Sequence, residues 1–407
     1  MAGLLAIMGS GETSPTMVTI HQRIAALLPP GPSAVLLETP YGFQENARDI
    51  STRACQYFDR SVGLKVAVAP EDGDHGLAMV RGADWLFSGP GSPTYAMRCW
   101  RGAPTAQALH DRINAFTSIT VFASAAAATL GAWSVPVYEL YKAGYDPHWA
   151  DGLDVLQRLG LRVALIPHYD NTEGGTRFDT RYCYLGERRL RIMERLLPDD
   201  AAVLGVDEHT CVLVDRDADT VRVIGRGGLT VRRDGHSTVL ASGTELTLTE
   251  LRALAHGVPI DRVLPPPRPT GQAEAPAPSA TITETAADCE RRFDEALAGR
   301  NAEAMATAIL DLEESVRAWA TDTEEDDGMD QARAVLRTLI VRLSQAATPG
   351  LTDPAERWKP LIKPLLGVRD QLRDRRDWAA ADAIRDALAA AGVDVRDEPG
   401  ATSYSVK

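Results

Sequence analysis

Short unbroken runs of apolar residues, each about a strand long and followed by a turn and a helix-like stretch, recur through the first 262 residues. Leu4 to Met8, Ala34 to Leu37, Leu64 to Val68, Trp85 to Phe87, Ile119 to Ala123, Val163 to Ile166 and Ala202 to Val206 are such runs. A strand with one wet face alternates apolar and polar residues; a strand that is apolar throughout is buried on both sides. Both sides are covered when helices pack on the two faces of a parallel sheet, and Thr16 to Leu28 and Thr105 to Ala115 read as such helices. The expected fold class is α/β, a doubly wound and mostly parallel sheet. From Cys211 to Leu246 the pattern changes to short alternating strands (CVLVD, TVRVIG, LTVRR, STVLA) split by RDAD, GRGG and RDGH. This predicts an antiparallel meander at the sheet edge. A helix over Leu248 to His256 closes the region, with Thr247 and Glu250 at the spacing of a capping box.

Residues 263–287 are proline, alanine and small polar groups with few bulky apolar side chains. Such a stretch cannot bury enough surface to fold, so it is expected to be a disordered linker. It separates an α/β domain over 1–262 from a helical domain over 288–407. In the latter, Leu310, Leu312, Val316 and Trp319 recur at helix spacing, as do Val335, Leu336, Leu339, Val341 and Leu343, and then Ile384 and Leu388. A small all-α bundle of about four helices is expected, ending in a hairpin or tail. The acidic run TDTEEDDGMD reads as a solvated loop between helices.

The chain has 407 residues, enough for two cores. Its net charge of -13 argues against non-specific nucleic-acid binding, which depends on Lys and Arg neutralising phosphates. Five scattered cysteines without a CxxC pair point to a reducing compartment and no structural zinc. The N-terminal MAGLLAIMGSGETSP has neither the basic start nor the long apolar stretch of a signal peptide. The expected location is the cytoplasm, without a membrane anchor.

Four segments could carry chemistry. In ITVFASAAAATLG an apolar strand ends at Ser124 and a small-residue helix starts at once. A serine on such an elbow is exposed at the carboxyl edge of the sheet, with the Ala125 N–H placed to stabilise an oxyanion. The alternative is a serine that merely caps a tightly packed helix. In LIPHYDN, His168 follows a strand end and is expected at the same sheet edge, where it can act as the base a serine nucleophile needs. In LGVDEHTCV a carboxylate, Asp207 or Glu208, could orient that histidine. In LFSGPGSPT, Gly89 and Gly91 let backbone approach a substrate. GSGETSP reads as another glycine turn; it lacks the spacing of a dinucleotide site, and no cofactor is expected.

Together these segments resemble the peptidase E and cyanophycinase family of serine hydrolases, peptidase family S51, which has the class I glutamine amidotransferase-like fold. The resemblance covers roughly residues 1–262. It implies Ser124 as nucleophile, His168 as base and Glu208 as the orienting acid, with Gly89, Gly91, Ala125 and Asn171 in the oxyanion and substrate-binding region. Hydrolysis of a peptide or amide bond is implied. The sequence departs from the family elbow Gly-x-Ser-Ala-Gly at Phe122 and Ala126. The segment from Leu361 to Val406, with its pieces RDQLR, DWAAADAIRDAL and GVDVRD, resembles the carboxyl-terminal helical domain of cysteinyl-tRNA synthetases. That resemblance implies tRNA contact. No synthetase catalytic motif is present, so aminoacylation is not implied. Arg369, Arg373, Arg375, Arg376 and Arg385 could form a basic face, or simply pair with Asp370, Asp374, Asp377 and Asp386.

Two readings of function follow. The first is a serine hydrolase acting on a peptide or small amide, the helical domain positioning substrate or partner. The second is a catalytically inactive binding protein whose helical domain contacts tRNA or a protein. A Ser124 hydroxyl within hydrogen-bond reach of His168 favours the first, and a serine sealed under Phe122 the second. A third and weaker reading gathers Asp146, His148, Asp151, His168 and Asp170 around a metal ion, at spacings that match no standard site. Self-association as a homodimer is left open.

Overall fold

The computed structural model describes residues 3–70, 73–174, 178–260, 280–322, 328–348, 350, 354–398 and 401–406. Most of the expected linker lies outside these residues. Two compact units are present: Met1–Thr281 with Ala318–Asp327, and Ile282–Arg317 with Gly328–Lys407.

The first unit is α/β. Its main sheet has eight strands in the spatial order Glu245–Leu246, Thr220–Gly225, Thr210–Asp215, Leu4–Met8, Ile119–Ala123, Trp85–Ser88, Ala34–Leu37 and Val66–Ala69. The last five run parallel, as continuous apolar runs require. Alternate residues of the same strand enter two different cores. Leu5, Ile7, Leu86 and Phe122 belong to one; Ala6, Met8, Trp85, Phe87, Val121 and Ala123 belong to the other. Both faces of the sheet are therefore dry, which is the doubly wound arrangement.

A second sheet of six strands takes up the remainder, in the order His236–Ala241, Gly228–Arg233, Ala202–Val206, Val163–Ile166, Trp133–Ser134 and Ala150–Asp151. The sequence predicts one meander over 211–246, whereas the structure divides it. Thr210–Asp215 and Thr220–Gly225 extend the first sheet, while Gly228–Arg233 and His236–Ala241 extend the second. The break falls at Arg226 and Gly227, inside GRGG. The closing helix Leu248–Ala255 carries the expected capping box: Thr247 Oγ1 accepts from the Glu250 N–H, and Glu250 accepts from the Thr247 N–H.

The second unit is helical, with five described helices rather than about four: Ile282–Ala298, Ala302–Ala318, Gly328–Ala347, Pro354–Asp374 and Trp378–Ala390. The first of these begins inside the stretch expected as linker, because Ile282, Ala286, Cys289, Phe293 and Ala296 are spaced to bury one face. Leu312 and Leu339 are buried as their spacing predicts, whereas Leu310 and Val341 are exposed on the outer faces of their helices. An antiparallel hairpin, Val393–Glu398 with Ala401–Val406, closes the chain and packs Val393 against Ile362, Leu366 and Leu388.

The expected arginine pairing holds in part, Arg369 lying 3.9 Å from Asp370 and Arg385 3.7 Å from Asp386, but the shorter contacts are elsewhere. Arg369, buried, forms a two-pronged bond at 2.7 Å to Asp397 of the hairpin, and Arg373 joins the same carboxylate at 2.6 Å. Arg385 pairs with Asp382 and Asp386, while Asp377 caps the following helix. Arg375 and Arg376 are exposed.

Candidate active site

Parallel register places three loops level with one another. Met8 lies opposite Ala123, and Ser88 opposite Phe122. The Gly9–Ser14 loop, Ser124 and the Gly89–Ser92 turn therefore leave the main sheet at one edge. In the second sheet Ile166 lies opposite Gly205, which brings His168 level with Asp207 and Glu208. The sequence places His168 on the same sheet as Ser124; it is instead carried by the second sheet. The chain crosses between the two sheets between Val206 and Thr210, turning at His209 with φ +51°. Glu208 sits on that crossing, and its carboxylate meets His168 and Asn171, both carried by the loop after Val163–Ile166.

Ser124 has φ +45°, a left-handed conformation that a non-glycine residue holds only under constraint. Its small neighbours allow the turn: Ala123, Ala126, Ala127 and Ala128 are each at most 1% exposed. Ser124 is 7% exposed, buried rather than open as the elbow reading expects; Phe122 is not what covers it, because its ring is buried in the core and stacks on Trp100 at 6.1 Å. The Ser124 Oγ lies 2.9 Å from His168 Nε2, and His168 Nδ1 lies 3.0 Å from Glu208 Oε1. A carboxylate at Nδ1 keeps the proton there and leaves Nε2 to accept from the serine hydroxyl. Burial works against the His168 imidazolium. The hydrogen bond and charge of Glu208, with the charges of Glu12 and Glu173, outweigh it and raise the pKa. Burial likewise pushes the Glu208 carboxyl up, but His168 and the Asn171 amide hold it below its ordinary value.

Asn171 is 1% exposed and donates to the same Glu208 Oε1 at 3.0 Å. Its own Oδ1 accepts from the Glu173 N–H, which fixes the amide's orientation. Asp207 turns away from the histidine: it accepts from the Gly228 N–H at 2.7 Å, and burial and the neighbouring Asp170 push it up to about 7. Of the two carboxylates the sequence left open, Glu208 is the one at His168. Asp170 accepts from the Glu208 N–H and secures the crossing.

The Gly89 carbonyl accepts from the Ala126 N–H at 3.1 Å, tying its turn to the elbow helix. Gly91 has φ +127°, and a Cβ there would stand 2.2 Å from the Pro40 carbonyl oxygen. That position is closed to any other residue. Ala125 lies in the first turn of the elbow helix, where a main-chain N–H has no intrahelical acceptor. His148 is exposed, with Nδ1 against the Asp146 carbonyl, and no cluster of three metal-ligating side chains occurs among the described residues.

Other features at this edge have no counterpart in the sequence reading. Tyr182, Cys183 and Tyr184 are three successive residues with φ of +62°, +55° and +63°. The N–H groups of the first two donate to the carbonyls of Tyr169 and His168. Glu12, from the motif read only as a glycine turn, is 1% exposed. His209 Nδ1 lies 2.9 Å from Thr16 Oγ1, and its ring meets Trp319 edge-on. Asp322 accepts from Thr13 Oγ1 at 2.9 Å. The sequence expects that residue to be solvated; residues 323–327 of its acidic run lie outside the described residues, and 328–330 open the helix Gly328–Ala347 instead of continuing a loop. Glu12 could have been singled out as an acid at the mouth of a strand-end turn, the same signal that marks His168.

Comparison with known proteins divides the chain in two. The family model described as "Cysteinyl-tRNA ligase anticodon binding domain" matches residues 359–404. A cysteine–tRNA ligase of Arthrobacter sp. (strain FB24) is 39% identical over 106 residues, 25% of this chain and 22% of the ligase. That of Paenarthrobacter aurescens (strain TC1) is 37% identical over 103 residues, 24% and 21% respectively. The chain thus spans about a fifth of the length of these ligases. Among solved structures, a peptidase from an acI-B1 Actinobacterium aligns with 61% of this chain and 97% of its own at 18% identity and TM-score 0.48. A peptidase E candidate protein from Listeria monocytogenes EGD-e aligns with 55% and 99% at 13% identity and TM-score 0.39. No described helix is long and apolar enough to cross a membrane.

Proposed function

We propose that the α/β domain is a serine hydrolase of peptide or amide bonds, with Ser124 as nucleophile, His168 as general base and Glu208 as the acid that orients it. The observation that carries this reading is the unbroken chain Ser124 Oγ–His168 Nε2–Glu208 Oε1, with links of 2.9 and 3.0 Å. In the first step Oγ attacks the substrate carbonyl carbon and its proton passes to Nε2. The carbonyl π electrons move to oxygen, where the Ala125 N–H and the Gly89–Gly91 turn supply the oxyanion region. His168 then protonates the departing amine, and water repeats the sequence on the acyl-serine. Glu208 stays ionised throughout and stabilises the imidazolium. The short Ser124–His168 contact argues against the inactive-binder reading.

Labelling of purified protein with a fluorophosphonate probe tests this, wild type beside Ser124→Ala. Labelling confined to wild type is the expected result; no labelling of either protein refutes it.

A second activity is supported by an independent observation, the match of residues 359–404 to an anticodon-binding family model. In this reading the helical domain contacts tRNA, using the exposed Arg375 and Arg376 and the half-exposed Trp378, over whose ring the Arg373 guanidinium lies at 5.9 Å. Gel-shift titration with tRNA, repeated on the Arg375→Ala, Arg376→Ala double variant, is expected to show weaker binding by the variant. Equal binding refutes this use of the two arginines.

A further inference from the structure

We propose that Glu12 is a cation-recognition residue of the Ser124 site, its carboxylate receiving an ammonium or guanidinium group of the substrate. The inference rests on the hydrolase reading and names its substrate class: a peptide or amide with a positively charged nitrogen near the scissile carbonyl.

Placement comes first. Glu12 lies in the loop that leaves Leu4–Met8 level with the elbow strand. A Cβ added at Gly89 would stand 2.8 Å from Glu12 Oε1, so the carboxylate lies against the turn flanking Ser124. The unmet demand for donors comes second. The other carboxylates of this edge have theirs: Glu208 takes His168 and Asn171, Asp207 takes the Gly228 N–H, and Asp170 takes the Glu208 N–H. Glu12 is 1% exposed, and neither of its oxygens has a hydrogen-bond partner among the described residues. Burying a carboxylate in this way costs stability unless a donor arrives.

The surroundings decide which donor. The titratable groups facing Glu12 are Asp322, His168, Tyr41 and Tyr57, with His21 Nε2 on its main-chain oxygen at 2.7 Å. Both His168 ring nitrogens are committed to Ser124 and Glu208. Asp322 adds a second carboxylate, and burial together with that charge pushes Glu12 up to about 7. A site with two neighbouring carboxylates and no cation on the buried one repels anions and favours a cationic nitrogen over a neutral amide.

The test is calorimetric binding to the full-length Ser124→Ala protein. Glycinamide offers only an α-ammonium, Nα-acetylarginine amide only a guanidinium, and Nα-acetylglycine amide neither. We expect one of the two cations to bind at least about tenfold tighter than the neutral amide, as site groups left unpaired by the wrong ligand dictate. Glu12→Gln in the same background is expected to erase that preference, while Asp322→Asn weakens it less. A thermal midpoint for Glu12→Gln no lower than its parent's shows that the fold is kept. Equal binding of all three ligands overturns the proposal, as does a preference that survives Glu12→Gln. Fluorophosphonate labelling of the wild type tests the hydrolase reading separately. A preference without labelling supports the cation site and removes the reaction; labelling without a preference overturns the cation site alone.

Discussion

Replacing Glu208 by glutamine and by alanine separates what its charge does from what its hydrogen bonds do. A single oxygen, Oε1, receives both His168 Nδ1 and Asn171 Nδ2. Two donors at one position mean that a glutamine will place its oxygen, not its amide nitrogen, there. Glu208→Gln therefore keeps the histidine tautomer and loses only the charge. Two unit charges 3.0 Å apart attract by about 5 kcal/mol at an effective dielectric of 20. The Glu208 side chain is 27% exposed, so solvent removes part of this. Taking roughly half, about 2–3 kcal/mol of imidazolium stabilisation is lost, a rate reduction of about 30- to 150-fold. Glu208→Ala loses orientation as well and is expected to fall by about 10⁴-fold, as in other triads whose histidine is wrongly held. The assay is the second-order rate of fluorophosphonate labelling across pH. Glu208 supplies the main upward pulls on His168, so both variants move the acid limb of the profile to lower pH. A glutamine variant as slow as the alanine variant would refute the two-donor argument. One as fast as wild type would remove Glu208 from the mechanism.

Two stability predictions follow. Arg232, with its side chain 4% exposed, donates to Glu187 and Glu194; Arg232→Ala leaves both carboxylates without it and is expected to cost about 3–5 kcal/mol in urea unfolding, while a loss below about 1 kcal/mol would contradict the pairing. Glu12, held near 7 when folded against 4.5 otherwise, binds a proton in the folded state that the unfolded chain releases. Its contribution is therefore fully present below about pH 4.5 and falls as pH rises through 7, by about 3 kcal/mol in all. Glu12→Gln is expected to raise the thermal midpoint at pH 8 but not at pH 4.5; equal midpoints at pH 8 would refute the assignment.

The parallel core of the first domain was legible because strands buried on both faces leave unbroken runs such as ITVFA. The elbow was legible because crowding there demands Ala123, Ala125, Ala126 and Ala127. Other features left weaker marks. The second sheet was not distinguishable, since VALI and AVLGV read alike whichever sheet they join. The choice of Glu208 over Asp207 depends on which side of the sheet crossing each side chain leaves, and adjacent acids carry no sign of that. Glu12 was passed over because its neighbours Gly9 and Gly11 announce a turn more loudly than one carboxylate announces a site. In the helical domain, spacing placed the helices but not Arg369, whose partner Asp397 is 28 residues away on the hairpin.

The Tyr182–Tyr184 turn bears on how the site comes into being. Left-handed backbone costs each side-chain-bearing residue roughly 1–2 kcal/mol, so three in succession cannot persist as a local structure. They persist because their N–H groups reach the carbonyls of His168, Tyr169 and Thr180. His168, itself at φ +49°, is held by a segment that takes its shape only against a finished sheet. The placement of the histidine is thus a tertiary property rather than a local one. A change in the Tyr182–Tyr184 turn would therefore reach His168 without touching Ser124 or Glu208, because the Cys183 N–H is bonded to the His168 carbonyl.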